Sequence, residues 1–162
     1  MPTSTTQILI FLFQTNHEII HMQLKDITHA QSLLQPPFRG NCMNYDIGHI
    51  LGAYDWCMGE MGLPSALSEA EAKVYGHGGE PLTDAVNASD LNTMVKRLDE
   101  SLEKIVSRLG NLSEAEQKRE IKLFDEPWPL IQGLYFMFWH IAYHSGQLEL
   151  LRQLAGKNDK VI

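Results

Sequence analysis

Apolar positions recur at helical spacing along four stretches of the chain, and nowhere do they alternate convincingly in the two-residue rhythm of a half-buried strand. The first stretch runs from about Ser4 to Leu34 and carries Leu9, Phe13, Asn16, Ile20, Leu24 and Ile27 on one stripe. Pro36-Pro37 ends it, because proline has no N–H for the helical ladder and disfavours helix at the residue before it. The second, about Met43 to Met61, presents Ile47, Ile50, Leu51, Tyr54 and Met58 and closes at Gly62 and Pro64. The third is the most regular: Leu91, Met94, Val95, Leu98, Leu102, Ile105, Val106 and Leu109 follow a 3–4 spacing, with Ser89 or Asp90 as cap and Gly110 as stop. The fourth starts near Pro129, a residue favoured in a first helical turn, and ends before Gly156. From Leu134 to Trp139 it is apolar on every side, which calls for a central position or for cover by a second subunit.

Two longer connections, about 63–88 and 111–128, each hold a predicted short helix: Ser68-Glu69-Ala70-Glu71 in one, and Ser113-Glu114-Ala115-Glu116, with capping-box spacing, in the other. The first also contains the flexible run Tyr75-Gly76-His77-Gly78-Gly79. Connections of this length often serve as lids or partner surfaces. Four amphipathic helices so connected predict an all-α fold, a four-helix bundle in a single domain over residues 1–162, and such bundles place metal sites between facing helices.

Composition narrows the function classes. A chain of 162 residues, 44% hydrophobic and 20% charged, is ordinary for a globular domain. Its net charge of −7 removes the counterion-release gain that drives binding to nucleic acids, so no nucleic-acid partner is expected. The two cysteines, Cys42 and Cys57, form no CxxC pair and suit reduced thiols in the cytoplasm. The apolar run Ile8–Phe13 is too short for a membrane span and lacks a preceding Lys or Arg, so a cytoplasmic protein without a membrane partner is expected.

Seven histidines are present, and spacing raises some above the background of surface and core histidines. His140 and His144, four apart, lie about 40° apart on one helical face and can offer two imidazoles to one transition metal. A third ligand must come from elsewhere. His17-Glu18-Ile19-Ile20-His21 matches the HExxH pattern of zinc peptidases, in which the glutamate is the general base. The glycine and third histidine of the extended form are missing, only sixteen residues precede His17, and the stripe turns Ile20 rather than His17 inward. A zincin-type peptidase is therefore the minor alternative. His49 has better company, lying beside Ile47, Ile50 and Leu51 and between Gly48 and Gly52. Two glycines one turn apart cost a helix roughly 1 kcal/mol each and imply a close helix–helix approach, which could carry His49 toward His140 and His144. From spacing alone, that triad and an ordinary buried histidine are evenly matched.

The blocks Asn44-x-x-x-Gly48-His49-Ile50-Leu51 with Asp55-Trp56, and Trp139-His140-x-x-Tyr143-His144-x-Gly146-Gln147-Leu148-x-Leu150-Leu151-Arg152, together resemble the DinB-like, or YfiT-like, superfamily. The element order is similar over nearly the whole chain, with the specific motifs confined to the second and fourth helices. The resemblance implies a four-helix bundle that binds one divalent metal ion (zinc, nickel, iron or manganese) through His49, His140 and His144, with water in the remaining positions and a homodimer as the common assembly. Characterised members include thiol transferases acting with bacillithiol or mycothiol and a maleylpyruvate isomerase.

Three neutral imidazoles around a dication leave coordination open for a water or thiol, whose pKa such an ion lowers. Accessory candidates are Gln147, to orient a ligand; Tyr143, to donate a hydrogen bond; Asp46, to hold a ligand histidine's second N–H; and His77, a fourth ligand that would close the site. Packing is the plainer role for each. Cys57, two turns from His49, is expected to fill core. The leading expectation is a metal-dependent thiol S-transferase or hydrolase acting on a small molecule, with a low-molecular-weight thiol as partner. The alternative is a non-catalytic metal-binding or stress-related interaction protein.

Overall fold

The computed structural model describes residues 4–76, 78, 81–82 and 85–161. It is mostly helical. Helix α1 (Thr5–Leu24) begins with a reciprocal cap in which the Ser4 hydroxyl accepts from the Gln7 amide and the Gln7 side chain accepts from the Ser4 amide. It ends at Leu24, ten residues before the expected end, because Asp26 turns into the left-handed region (φ 58°) and Thr28 caps a separate short helix, α2 (His29–Ser32). Then follow α3 (Met43–Glu60), α4 (Glu69–Tyr75), α5 (Leu91–Gly110), α6 (Glu114–Lys118), strands β1 (Glu120–Leu123) and β2 (Glu126–Pro129), and α7 (Leu130–Leu154). Both expected short helices are present as α4 and α6, and Asp90, not Ser89, caps α5 by accepting from the Thr93 amide.

The four long helices pack so that each touches two others: α1 with α5 and α7, and α3 with α5 and α7. Their directions follow from the side-chain links. Tyr135 bonds the Thr5 carbonyl, Asn16 bonds Ser145 and Arg152 bonds the Gln23 carbonyl, so α1 and α7 run parallel. Asn44 bonds the Ser89 carbonyl and Arg108 the Met61 carbonyl, so α3 and α5 run parallel. His49 faces His140 while Gly133 faces Trp56, so α3 and α7 are antiparallel. The chain therefore runs up, down, down and up, and the long connection from α3 to α5 carries it back along the molecule.

Between the helices lies one apolar core that includes Leu9, Phe13, Ile20, Ile47, Leu51, Tyr54, Met58, Leu98, Ile105, Leu134, Ile141 and Leu148. Cys42 and Cys57 are buried free thiols within it. The α1 stripe is buried as expected, but so is His17, because α1 meets α5 on one side and α7 on the other and buries a face wider than a single stripe. Helix α7 is divided: Leu134 is fully buried, whereas Trp139 and Tyr143 are 59% and 58% exposed.

An all-α chain was expected, and the fold is helical apart from one small addition that was not expected, the β1–β2 hairpin. Leu123 pairs with Glu126 across a two-residue turn in which Phe124 and Asp125 both have positive φ (52° and 65°). Ile121 and Leu123 point inward between exposed Glu120 and Lys122, while Pro127 and Pro129 are tolerated because both strands of a two-stranded sheet are edges. Among the described residues, no helix is long and apolar enough to cross a membrane.

Candidate metal centre

Antiparallel packing of α3 on α7 sets His49 opposite the two-histidine face of α7. The Nε2 atoms of His49 and His140 are 3.0 Å apart. Ring centroids are separated by 4.8 Å between His49 and His144, and by 4.6 Å between His140 and His144. One ligating atom from each of the three lies within 4.8 Å of the others. An ion at ~2.0–2.1 Å from each imidazole nitrogen would draw such atoms to roughly 3.0–3.4 Å, so only small side-chain rotations separate the arrangement from a three-coordinate set.

What holds His49 is not the α7 backbone. Its Nδ1 donates to the carbonyl of Tyr75, at the end of α4, over 2.7 Å. With the proton fixed there, Nε2 presents its lone pair to the other two histidines, the arrangement that metal-ligating histidines show. The Tyr45 ring stacks alongside His49 at 6.0 Å. Tyr75 is itself fully buried, its hydroxyl donating to Asn44 Oδ1 (3.0 Å) and accepting from the Ser89 amide (2.7 Å). A Cβ on Gly48 would stand 2.2 Å from the Tyr75 ring. The paired glycines thus do mark a close approach, but the group that approaches Gly48 is the Tyr75 side chain, not a neighbouring long helix.

Burial pushes the pKa of His144 down to about 4; nearby His49 and His140 add to the effect and Gln147 opposes it. His144 is therefore neutral at pH 7, the state a ligand needs. Nδ1 of His144 and Oε1 of Gln147 are both buried with no hydrogen-bond partner. Gln147 is nonetheless near enough to His144 to oppose its downward shift by hydrogen bonding, and the neutral imidazole beside two others fits a cation-binding centre. The donor set is compatible with a divalent first-row metal ion.

Other candidates are placed as follows. Gln147 lies one turn beyond His144 with its amide oxygen in the interior. Tyr143 is exposed, stacked on Trp139 at 6.3 Å and edge-on to His144 at 5.2 Å. Asp46 is buried but does not hold His49, since the Tyr75 carbonyl occupies that role. His77 lies outside the described residues.

His49 and His140 also line a pocket of about 470 Å³ whose other walls include Trp56, Leu67, Leu123, Phe124, Phe136 and Met137. Its lining is predominantly apolar. The carboxylate in its wall, Asp55, accepts from the Ser65 hydroxyl and the Ala66 amide and so ties down the chain after α3. The hairpin supplies one wall: Phe124 meets Phe136 edge-to-face at 5.1 Å, and Ile121 covers Gly133. Neither the hairpin nor Tyr75 was identified as part of the site from the sequence. The position of Tyr75 just before a glycine-rich run was the one available signal, and it reads equally as a loop.

No protein-family model matches the chain, and no curated protein matches it. Among solved structures, a conserved protein of a locus from Enterococcus faecalis is similar over 95% of this chain and 98% of its own, with a TM-score of 0.73 and 17% sequence identity. At that identity the likeness speaks for the fold alone.

Proposed function

We propose that the chain is a divalent-metal-dependent enzyme of the DinB-like kind, its four long helices forming a four-helix bundle that carries a thiol S-transferase or hydrolase site. His49, His140 and His144 are its ligands. The observation that carries this reading is the meeting of three imidazoles from two helices, two of them in the wall of an apolar pocket, with the outer nitrogen of one already committed to a backbone carbonyl. The bound ion would supply Lewis acidity, lowering the pKa of a coordinated thiol or water. The chain does the rest. Tyr75 fixes the tautomer of His49, the burial of His144 keeps it neutral, and Trp56, Phe124, Phe136 and Met137 take up the apolar body of a small electrophile while excluding water from it.

A homodimer belongs to the same proposal, formed through the outer face of α7, where Trp139, Tyr143 and Leu150 are each more than half exposed. Light scattering that finds a monomer at micromolar concentration removes it.

Metal analysis and turnover test the main reading together. The purified protein is expected to hold a first-row metal and to couple a low-molecular-weight thiol to an electrophile such as monochlorobimane faster than free metal does. His140→Ala should lose one equivalent of metal and the turnover. Metal content indifferent to His140→Ala overturns the reading, whereas metal bound without turnover of any thiol leaves a non-catalytic metal-binding protein.

A further inference from the structure

The HExxH spacing of α1 leaves two histidines that the proposed centre does not use. His17 and His21, one turn apart, both turn toward α5, where Asp99 meets them. Nε2 of His17 lies 2.8 Å and Nε2 of His21 2.6 Å from the same carboxylate oxygen, Oδ1 of Asp99, and the two nitrogens are 3.2 Å apart. An ion bonded to three such atoms at ~2.1 Å holds them about 3.0 Å apart at right angles and about 3.4 Å apart at tetrahedral angles. The observed triangle is close to the first of these and slightly contracted.

The surroundings are compatible with a cation inside the triangle. Nδ1 of His17 lies 3.3 Å from the hydroxyl of Tyr54, which is fully buried. Two tautomers are open to His17: with the Tyr54 hydroxyl donating to Nδ1, Nε2–H donates to Asp99 as an ordinary hydrogen bond, and with that hydroxyl accepting, Nδ1 carries the proton and Nε2 turns a bare lone pair toward the Asp99 oxygen. Two acceptors 2.8 Å apart repel unless positive charge lies between or above them. The cluster is reachable, since the side chains of His21 and Asp99 are 44% and 45% exposed while that of His17 is 10% exposed. Two imidazoles and one carboxylate make a donor set for divalent first-row ions, with the remaining coordination positions facing water. Glu18, the base of the peptidase reading, is exposed and outside the cluster.

We propose that His17, His21 and Asp99 form a second divalent transition-metal site, which ties α1 to α5 on the pair of helices opposite the α3–α7 centre. It is independent of the function proposed above, because the two clusters share no residue.

Titration of the full-length, chelator-stripped protein with Co(II), followed by calorimetry and the visible d–d absorption, tests it. Wild type is expected to take up two equivalents. His140→Ala/His144→Ala should retain one of them, and His21→Ala/Asp99→Asn should lose that one, a drop of at least tenfold in affinity. Both residues of the latter pair are nearly half exposed, so the fold should survive, with circular dichroism as the check. In the His140→Ala/His144→Ala background, Co(II) should also raise Tm, and Asp99→Asn should abolish the rise. Wild type binding one equivalent that His21→Ala/Asp99→Asn leaves unchanged overturns the second site and leaves the first standing. Binding that is lost only with His21→Ala/Asp99→Asn supports the second site and overturns the first.

Discussion

The ring of Tyr75 occupies the space that a side chain at position 48 would need: a Cβ built on Gly48 falls 2.2, 2.4 and 2.6 Å from three atoms of that ring. The contact joins the α3 backbone to the end of α4, and through the Tyr75 carbonyl it sets the orientation of His49. The ring has little room to retreat, because its hydroxyl is held by Asn44 and Ser89.

Gly48→Ala is therefore expected to destabilise the protein by about 2–3 kcal/mol, the cost of overpacking a closed interior. If His49 is a ligand, metal affinity should fall ~10- to 100-fold with it, as when a ligand histidine loses its outer partner. Gly52 is the control. A Cβ there meets nothing nearer than 3.7 Å, so Gly52→Ala should gain about 0.5–1 kcal/mol from helix propensity. Urea unfolding and competition with a chromophoric chelator measure both. Equal behaviour of the two alanine variants would remove the Tyr75 contact as the reason for Gly48.

Tyr75→Phe separates the ring from its hydroxyl. The ring stays on Gly48 and the carbonyl stays on His49, but Asn44 Oδ1 and the Ser89 amide lose their shared partner. A loss of roughly 1–3 kcal/mol in stability is expected, with metal affinity nearly unchanged. A metal affinity that falls as far as in Gly48→Ala would mean that the hydroxyl, not the carbonyl, positions the site.

The helices were legible because their signals are local. The 3–4 spacing of α5, its Asp90 cap and the capping box of α6 depend on residues within a turn or two of one another. Facing helices then follow from burial of their stripes, but spacing named only His140 and His144 as a pair and left His49 evenly matched with an ordinary buried histidine; the set of three came from the resemblance of the two motif blocks. The pair Gly48 and Gly52 announced a close approach without saying what approaches. The group is supplied by a tyrosine more than twenty residues later in a connection with no periodicity. The early end of α1 was hidden because Asp26 takes a positive φ without a glycine to mark it, while Ile27 continues the apolar stripe. His17 was read as outward from a single stripe, whereas α1 packs against two helices. The hairpin was hidden for a chemical reason: its turn residues are Phe124-Asp125 instead of the usual Asn-Gly, and two prolines lie in its second strand.

That turn carries its own prediction. Phe124 at φ 52° adopts a conformation that an aromatic side chain disfavours, and its ring lines the pocket against Phe136. Phe124→Asn suits the turn and should stabilise the protein by about 0.5–1 kcal/mol or leave it unchanged, by the modest scale of backbone fitting effects. It should also remove an apolar wall, raising KM for an apolar electrophile severalfold with little effect on kcat. Lower stability with unchanged KM would show that the ring serves packing, not the pocket.

Asp46 makes stability depend on pH in the direction opposite to most carboxylates. It is 2% exposed, Oδ1 has no hydrogen-bond partner, and burial raises its pKa to about 7 despite a hydrogen bond from Asn41. In the unfolded chain it returns to about 4. Between those values the folded protein binds the extra proton, so this residue's contribution falls as pH rises from about 4 to 7 and levels off above that. Asp46→Asn removes the buried charge while keeping the shape. It should exceed wild type in stability by an amount that grows between pH 5 and 8, on the order of 3 kcal/mol at the upper end, and the two should converge toward pH 4. Urea midpoints at four pH values across that range decide it: a gap that narrows with rising pH would mean that Asp46 is held ionised in the fold by a partner.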